Sequence, residues 1–207
     1  MGMFDTVLSP QTLYKQVVGA VVYIENLTDT GKVLYGAGVV ISKEGSILTA
    51  AHVLANSNLI SIEFSDGSKV TAHRSSPFDE GRDLATCKID NPTKFFPTVF
   101  MRDLSINPLN IGAKLFAIGH PLKQKFSYSE GIVSQLRKDI LNPGKFVIHE
   151  AIQTDAALNP GNSGGGAFDL KGRLIGIANI ILSPSGYYDG IGYLTGTTEI
   201  VKFLGNN

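Results

Sequence analysis

A chain of 207 residues with Lys+Arg 18 against Asp+Glu 18 carries no net charge to draw it to nucleic acid or to an anionic membrane. At 43% hydrophobic and 17% charged residues it is composed like an ordinary globular protein, not a disordered one. No apolar run approaches the ~20 residues that span a bilayer as a helix.

The first periodic segment, SPQTLYKQVV, predicts a short helix with Ser9 as N-cap and Pro10 at the first helical position. Runs rich in Val, Ile, Phe and Tyr follow: VVGAVVYIEN, YGAGVVIS, SILTAAHV, LISIEFS and DLATCKI. Turn pairs such as Thr30-Gly31, Glu44-Gly45 and Asp66-Gly67 separate several of them. A polar, proline-containing stretch from Pro97 to Pro108 interrupts the pattern, which resumes with KLFAIG, EGIVSQLRK, KFVIHEAIQT and RLIGIANIIL. The last segment, TTEIVKFLGNN, predicts a closing helix capped at Thr197 or Thr198 and stopped at Gly205. Short strands at this spacing predict an all-β fold of two six-stranded antiparallel barrels with short terminal helices. The boundaries read as 1–100 and 111–207, with a linker over 101–110, all within one domain.

Cys87 is the only cysteine, so no disulfide can form within the chain. It lies in an apolar run and reads as core filler. The start of the chain has neither a basic region nor a long apolar stretch, so no signal peptide is read. Together these features lead us to expect a cytoplasmic protein. His73, His120 and His149 read as turn or strand-surface histidines, since no two share a short metal-ligand spacing; no metal and no cofactor is expected.

Three polar residues stand out. His52 follows the apolar run ILTAA, Asp83 directly precedes LATCKI, and Ser163 sits inside NPGNSGGGAF. Each alone has an ordinary explanation as a strand-end, turn or loop residue. Together they supply a base, an orienting carboxylate and a nucleophile, the set that acyl transfer requires. Their order matters. Gly161-Asn162-Ser163-Gly164-Gly165 also satisfies G-x-S-x-G, but that α/β-hydrolase elbow needs a helix directly after the serine and a histidine beyond it. Here a strand-like run follows and no histidine lies beyond Ser163. The Asp-His-Ser order of subtilisins is excluded as well.

The segments ILTAAHV, DLATCKI, FAIGHP, SEGIVS and IQTDAALNPGNSGGGAFDLKGRLIGI resemble the protease domain of the HtrA (Deg) family of trypsin-fold serine endopeptidases, over about residues 17 to 203. The resemblance implies the trypsin fold and peptide-bond hydrolysis. It implies His52 as general base, Asp83 as its partner, Ser163 as nucleophile, and an oxyanion hole from the N–H groups of Gly161 and Ser163 with Asn162 between them. Asn162 is neutral, so it cannot pair with a trimmed N-terminal ammonium as an aspartate does in digestive relatives; activation without trimming is expected. Leu158, beside Ala157 just upstream, walls the specificity pocket, and the resemblance adds Ile181 and Leu182. With no acid among them, small or medium aliphatic residues are expected before the scissile bond. The partner is then a polypeptide substrate, with a homo-oligomer or activating partner as a further implication. The family's usual C-terminal PDZ domain is not read here, and GIGYLTGT departs from the family's usual GIGFAIP. The alternative reading is a silent or latent trypsin-fold module that binds peptides or assembles with partners.

Overall fold

The computed structural model describes residues 8–142, 145–181 and 189–205. Helix α1 (Pro10–Val17) begins as its sequence predicts: Ser9 is extended and its Oγ accepts from the Thr12 N–H at 3.2 Å. This satisfies one of the free donors of the first turn. Six strands follow: β1 (Val21–Thr28), β2 (Val33–Val40), β3 (Ser46–Thr49), β4 (Ser57–Phe64), β5 (Lys69–Asp79) and β6 (Leu84–Ile89). They close into an antiparallel barrel in the order β1-β2-β3-β6-β5-β4. A long connection leads to β7 (Lys114–Gly119), β8 (Ser127–Asn142), β9 (Phe146–Thr154), β10 (Gly166–Asp169), β11 (Leu174–Ile181) and β12 (Gly192–Gly196). These close a second barrel, β10-β11-β12-β9-β8-β7. Helix α2 (Thr197–Gly205) ends the described chain. The two barrels and terminal helices agree with the fold class the strand spacing predicts.

The barrels share a wall, and β1 shows why its sequence departs from simple alternation. Val22 and Ile24 point into the first barrel, whereas Val21 joins Val39, Leu48, Phe116 and Phe168 between the two barrels. Both faces of such a strand lose water, so both are apolar. Leu13 and Val17 of α1 and Ile200 and Phe203 of α2 pack into the same middle layer. Burial of these side chains, each worth about 1.5–3 kcal/mol, fixes the barrels against one another. Cys87 is buried in the first barrel, and its apolar surroundings push the thiol up to about 12. It is the core residue its sequence context indicates.

The histidines divide. His73 and His149 lie at the surface and pair with Asp90 at 2.7 Å and Asp139 at 2.8 Å. His120, expected at a turn surface, is instead 0% exposed. It follows β7 directly, where the chain passes between the barrels, and its Nε2–H donates to the Val22 carbonyl of β1 at 2.9 Å. Burial drives its imidazole down to about 4, with Lys125 pushing the same way and the Val22 bond and Glu63 opposing. An unfolded histidine titrates near 6.5. The unfolded chain therefore binds this proton first as pH falls. The stabilisation is complete above about pH 6.5 and drains away toward pH 4, a loss of roughly 3 kcal/mol. Urea unfolding at pH 7 and pH 4.5 is expected to show this loss in the wild type and a smaller one in His120→Asn. Equal losses in the two proteins would contradict it.

Candidate active site

β3 carries the chain out of the first barrel, and a single tight helical turn, Ala51–Leu54, then presents His52. Its neighbours Ala51, Val53 and Leu54 are buried, so the turn is held by its apolar residues while the His52 side chain stays 47% exposed. Asp83 precedes β6 and is buried, with its backbone in the left-handed region at φ 53. Aspartate tolerates that region better than most residues, but the conformation still needs support. The support comes from the other barrel. The Val147 N–H of β9 donates to the Gly81 carbonyl at 2.9 Å. The Asn179 amide of β11 donates to the Asp83 carbonyl at 3.0 Å and to its Oδ2 at 3.1 Å.

The histidine and the carboxylate meet twice. His52 Nδ1 lies 2.8 Å from Asp83 Oδ2 and 3.0 Å from Oδ1, and the His52 backbone N–H donates to Oδ1 at 2.9 Å. A carboxylate can only accept, so the proton of a neutral His52 sits on Nδ1. The Nε2 lone pair is then left for another proton. Thr195 Oγ–H donates to Asn179 Oδ1 at 2.7 Å, which fixes which end of the amide faces Asp83. Asn179, Thr195 and Asp83 are all buried. No sequence signal near Asp83 announces Asn179 or Thr195, because each lies about a hundred residues away in the chain.

Ser163 lies in the loop between β9 and β10. The Ala37 N–H of β2 reaches across from the first barrel to the Ser163 carbonyl at 2.8 Å, and the Gly164 N–H donates to the Ala178 carbonyl of β11 at 2.7 Å. The loop is clamped on both sides. Two glycines are required by this geometry. Gly161 has φ +103 and Gly164 φ +82, and a Cβ on them would meet the His120 carbonyl and the Ala37 carbonyl respectively. Asn162 is buried and its N–H closes a turn on the Asn159 carbonyl at 2.9 Å. The N–H groups of Gly161 and Ser163 have no acceptor among the described residues. Two free donors therefore flank one turn donor, an arrangement suited to holding an oxygen that gains charge.

One cavity of about 490 Å³ brings His52, Asp83, Asn162 and Ser163 together, with Leu158 and Asn179 on its wall. No hydrogen bond joins Ser163 Oγ to His52 among the described residues; such contacts commonly tighten only when substrate is bound. A second cavity of about 160 Å³ adjoins it, lined by Ala117, Ile118, Tyr128, Leu158, Asn162 and Ala178. Of the residues expected to wall a specificity pocket, Leu158 is there and buried. Ile181 closes β11, but its side chain and the whole of Leu182 lie outside the described residues. Tyr128 and Ile118 were not foreseen, because they come from β7 and β8, far from the serine in sequence.

The chain is similar to known proteins. The sequence matches the trypsin-like peptidase domain over residues 36–177. It is 35% identical over 200 residues to "Protease Do-like 1, chloroplastic" of Arabidopsis thaliana, covering 90% of this chain and 44% of that one. It is 39% identical over 159 residues to "Periplasmic serine endoprotease DegP" of Escherichia coli, covering 76% of this chain and 32% of that one. The solved structure "HtrA-type protease AlgW with tripeptide" superposes with a TM-score of 0.85 at 31% identity, over 96% of this chain and 63% of that one. The chain thus spans less than half the length of these sequence relatives. Their named compartments, chloroplast and periplasm, overturn the expectation of a cytoplasmic protein. That expectation leaned on the unread signal peptide and on the lone cysteine, and the second marks no compartment, because two barrels that bury a shared wall need no disulfide in any of them. By sequence match and by structure, the chain belongs to the trypsin-like peptidase family, in its HtrA (Deg) branch.

Proposed function

We propose that the chain is a serine endopeptidase in which Ser163 attacks the peptide carbonyl, His52 is the general base and Asp83 orients it. The observation that carries the reading is the doubly bonded His52–Asp83 pair sharing one cavity with Ser163. His52 Nε2 takes the Ser163 proton as the Oγ–carbon bond forms. The negative oxygen settles on the N–H groups of Gly161 and Ser163. His52 then delivers its proton to the leaving amine, and water repeats the sequence on the acyl-enzyme. Asp83 keeps the imidazole in one tautomer and stabilises it once charged.

The smaller cavity supports a preference for small or medium aliphatic residues before the scissile bond. Its floor is apolar, from Ala117, Ile118, Leu158 and Ala178. Its polar groups (Ser127, Tyr128, Ser129, Asn159 and Asn162) are all neutral, and among the described residues it offers no carboxylate to a buried Lys or Arg. Mapping new N-termini from an unfolded polypeptide, wild type against Ser163→Ala, is expected to show cuts after Ala, Val, Ile or Leu in the wild type alone. Cuts dominated by Lys and Arg would overturn the pocket assignment. Folded wild type that makes no cuts would favour a latent or silent peptide-binding module.

A further inference from the structure

Beside the nucleophile loop lies a segment that the chemistry above does not use, residues 120–126. Three of its non-glycine residues, Leu122, Lys123 and Phe126, have positive φ of 51, 64 and 56. Such backbone persists only where neighbouring contacts over-determine it. The anchors can be named. His120 Nδ1 accepts from the Phe126 N–H at 2.9 Å, so one imidazole bonds the far end of its own loop with Nδ1 and β1 with Nε2–H. Its ring stands edge-on to Tyr23 and Phe126, with centroids 5.0 and 4.8 Å away. Tyr14 Oη–H donates to the Phe126 carbonyl at 3.1 Å. Lys123 and Lys125 lie over the rings of Tyr35 and Tyr23, and Lys125 also pairs with Glu63.

The output of this segment faces Ser163. The Leu122 N–H donates to the Pro160 carbonyl at 2.8 Å, and the His120 carbonyl lies against the Cα of Gly161, where a Cβ would strike it. Pro160 and Gly161 are joined by the peptide whose N–H is one of the two free donors. Resting on the peptidase reading above, we propose that His120 is a positioning residue for the oxyanion hole: by accepting the Phe126 N–H it holds the 120–126 loop in the shape that aims the Gly161 N–H.

The two ring nitrogens can be separated by substitution. The side-chain oxygen of Asn can stand where Nδ1 stands and still accept from Phe126. The terminal amide of Gln reaches the Nε2 position and keeps the Val22 bond instead. The experiment compares wild type, His120→Asn and His120→Gln per titrated active site, reading kcat/KM on a peptide and affinities for a peptide boronate and for the product peptide. His120→Asn is expected to stay within about threefold of wild type. His120→Gln is expected to lose tenfold or more in kcat/KM and in boronate affinity, toward the roughly 10²–10³-fold cost of one oxyanion donor, with product affinity unchanged. Tyr14→Phe keeps its ring and removes only the second anchor of Phe126; it is expected to shift the boronate-to-product ratio about threefold, and it decides the matter should a His120 variant not fold. Asn and Gln behaving alike, or an unchanged ratio in Tyr14→Phe, overturns the inference while leaving the peptidase reading intact. A folded wild type that neither cleaves peptide nor binds boronate overturns both.

Discussion

Replacing Ser163 by alanine is expected to lower kcat on a peptide substrate by about 10⁶-fold, and replacing His52 by alanine to cost about as much. The double variant is expected to be no worse than either single one. The reason is that the two groups act in one event. Without Oγ the imidazole has no proton to take, and without the imidazole the hydroxyl keeps its proton. What remains in all three variants is the residual catalysis of the binding cleft and the free N–H groups of Gly161 and Ser163. Single-turnover kinetics on one chromogenic peptide checks this. Additive losses would mean that the two residues serve separate steps. Thermal unfolding is expected to move little, because the His52 side chain is half exposed and the variants remove no buried apolar group.

Asp83→Asn is expected to cost about 10⁴-fold in kcat at neutral pH. Both carboxylate oxygens accept from donors on opposite sides: Oδ1 from the His52 N–H, and Oδ2 from His52 Nδ1 and from the Asn179 amide. An asparagine must point its own NH₂ at one of these donor sets. Placed at the Oδ1 position, it sets donor against donor with the His52 backbone N–H. Placed at the Oδ2 position, it forces the His52 proton off Nδ1 and onto Nε2, the nitrogen that has to accept, and sets donor against donor with the Asn179 amide. Asn179 cannot flip to relieve this, since its oxygen would then face the Asp83 carbonyl and leave the Thr195 hydroxyl bond. The pH–rate profile of the variant checks the account. Activity near the wild-type level at neutral pH would contradict it.

The fold and the chemistry were legible in the sequence to different depths. Most strands were readable as Val-, Ile-, Phe- or Tyr-rich runs, but β5, β10 and β12 were not, because KVTAHRSSPFD is largely polar and GAFD and GYLTG are too short to show a pattern. The start of α1 was readable because Ser9 and Pro10 act locally. His52, Asp83 and Ser163 were readable only as a set, through their order. Asn179 and Thr195 were not, because their meaning arises when β11 and β12 of one barrel meet a turn of the other. His120 misled for the same reason. The short IGHP segment looks like an ordinary turn, and only the packing of β7 against β1 makes it an interior residue. The need for glycine at position 166 arises in the same way: a Cβ there would press on the Phe168 ring and on Val39 between the barrels.

The most direct test of the account is covalent labelling of the folded protein with a fluorophosphonate, read by intact mass and by peptide mapping. A serine becomes reactive toward this reagent only when a base deprotonates it and donors hold the phosphoryl oxygen, so the reaction reports both halves of the site. One adduct per chain on Ser163, absent in Ser163→Ala and at least a hundredfold slower in His52→Ala, is the predicted result. Folded wild type that stays unlabelled, or that is labelled on another residue, would contradict the account.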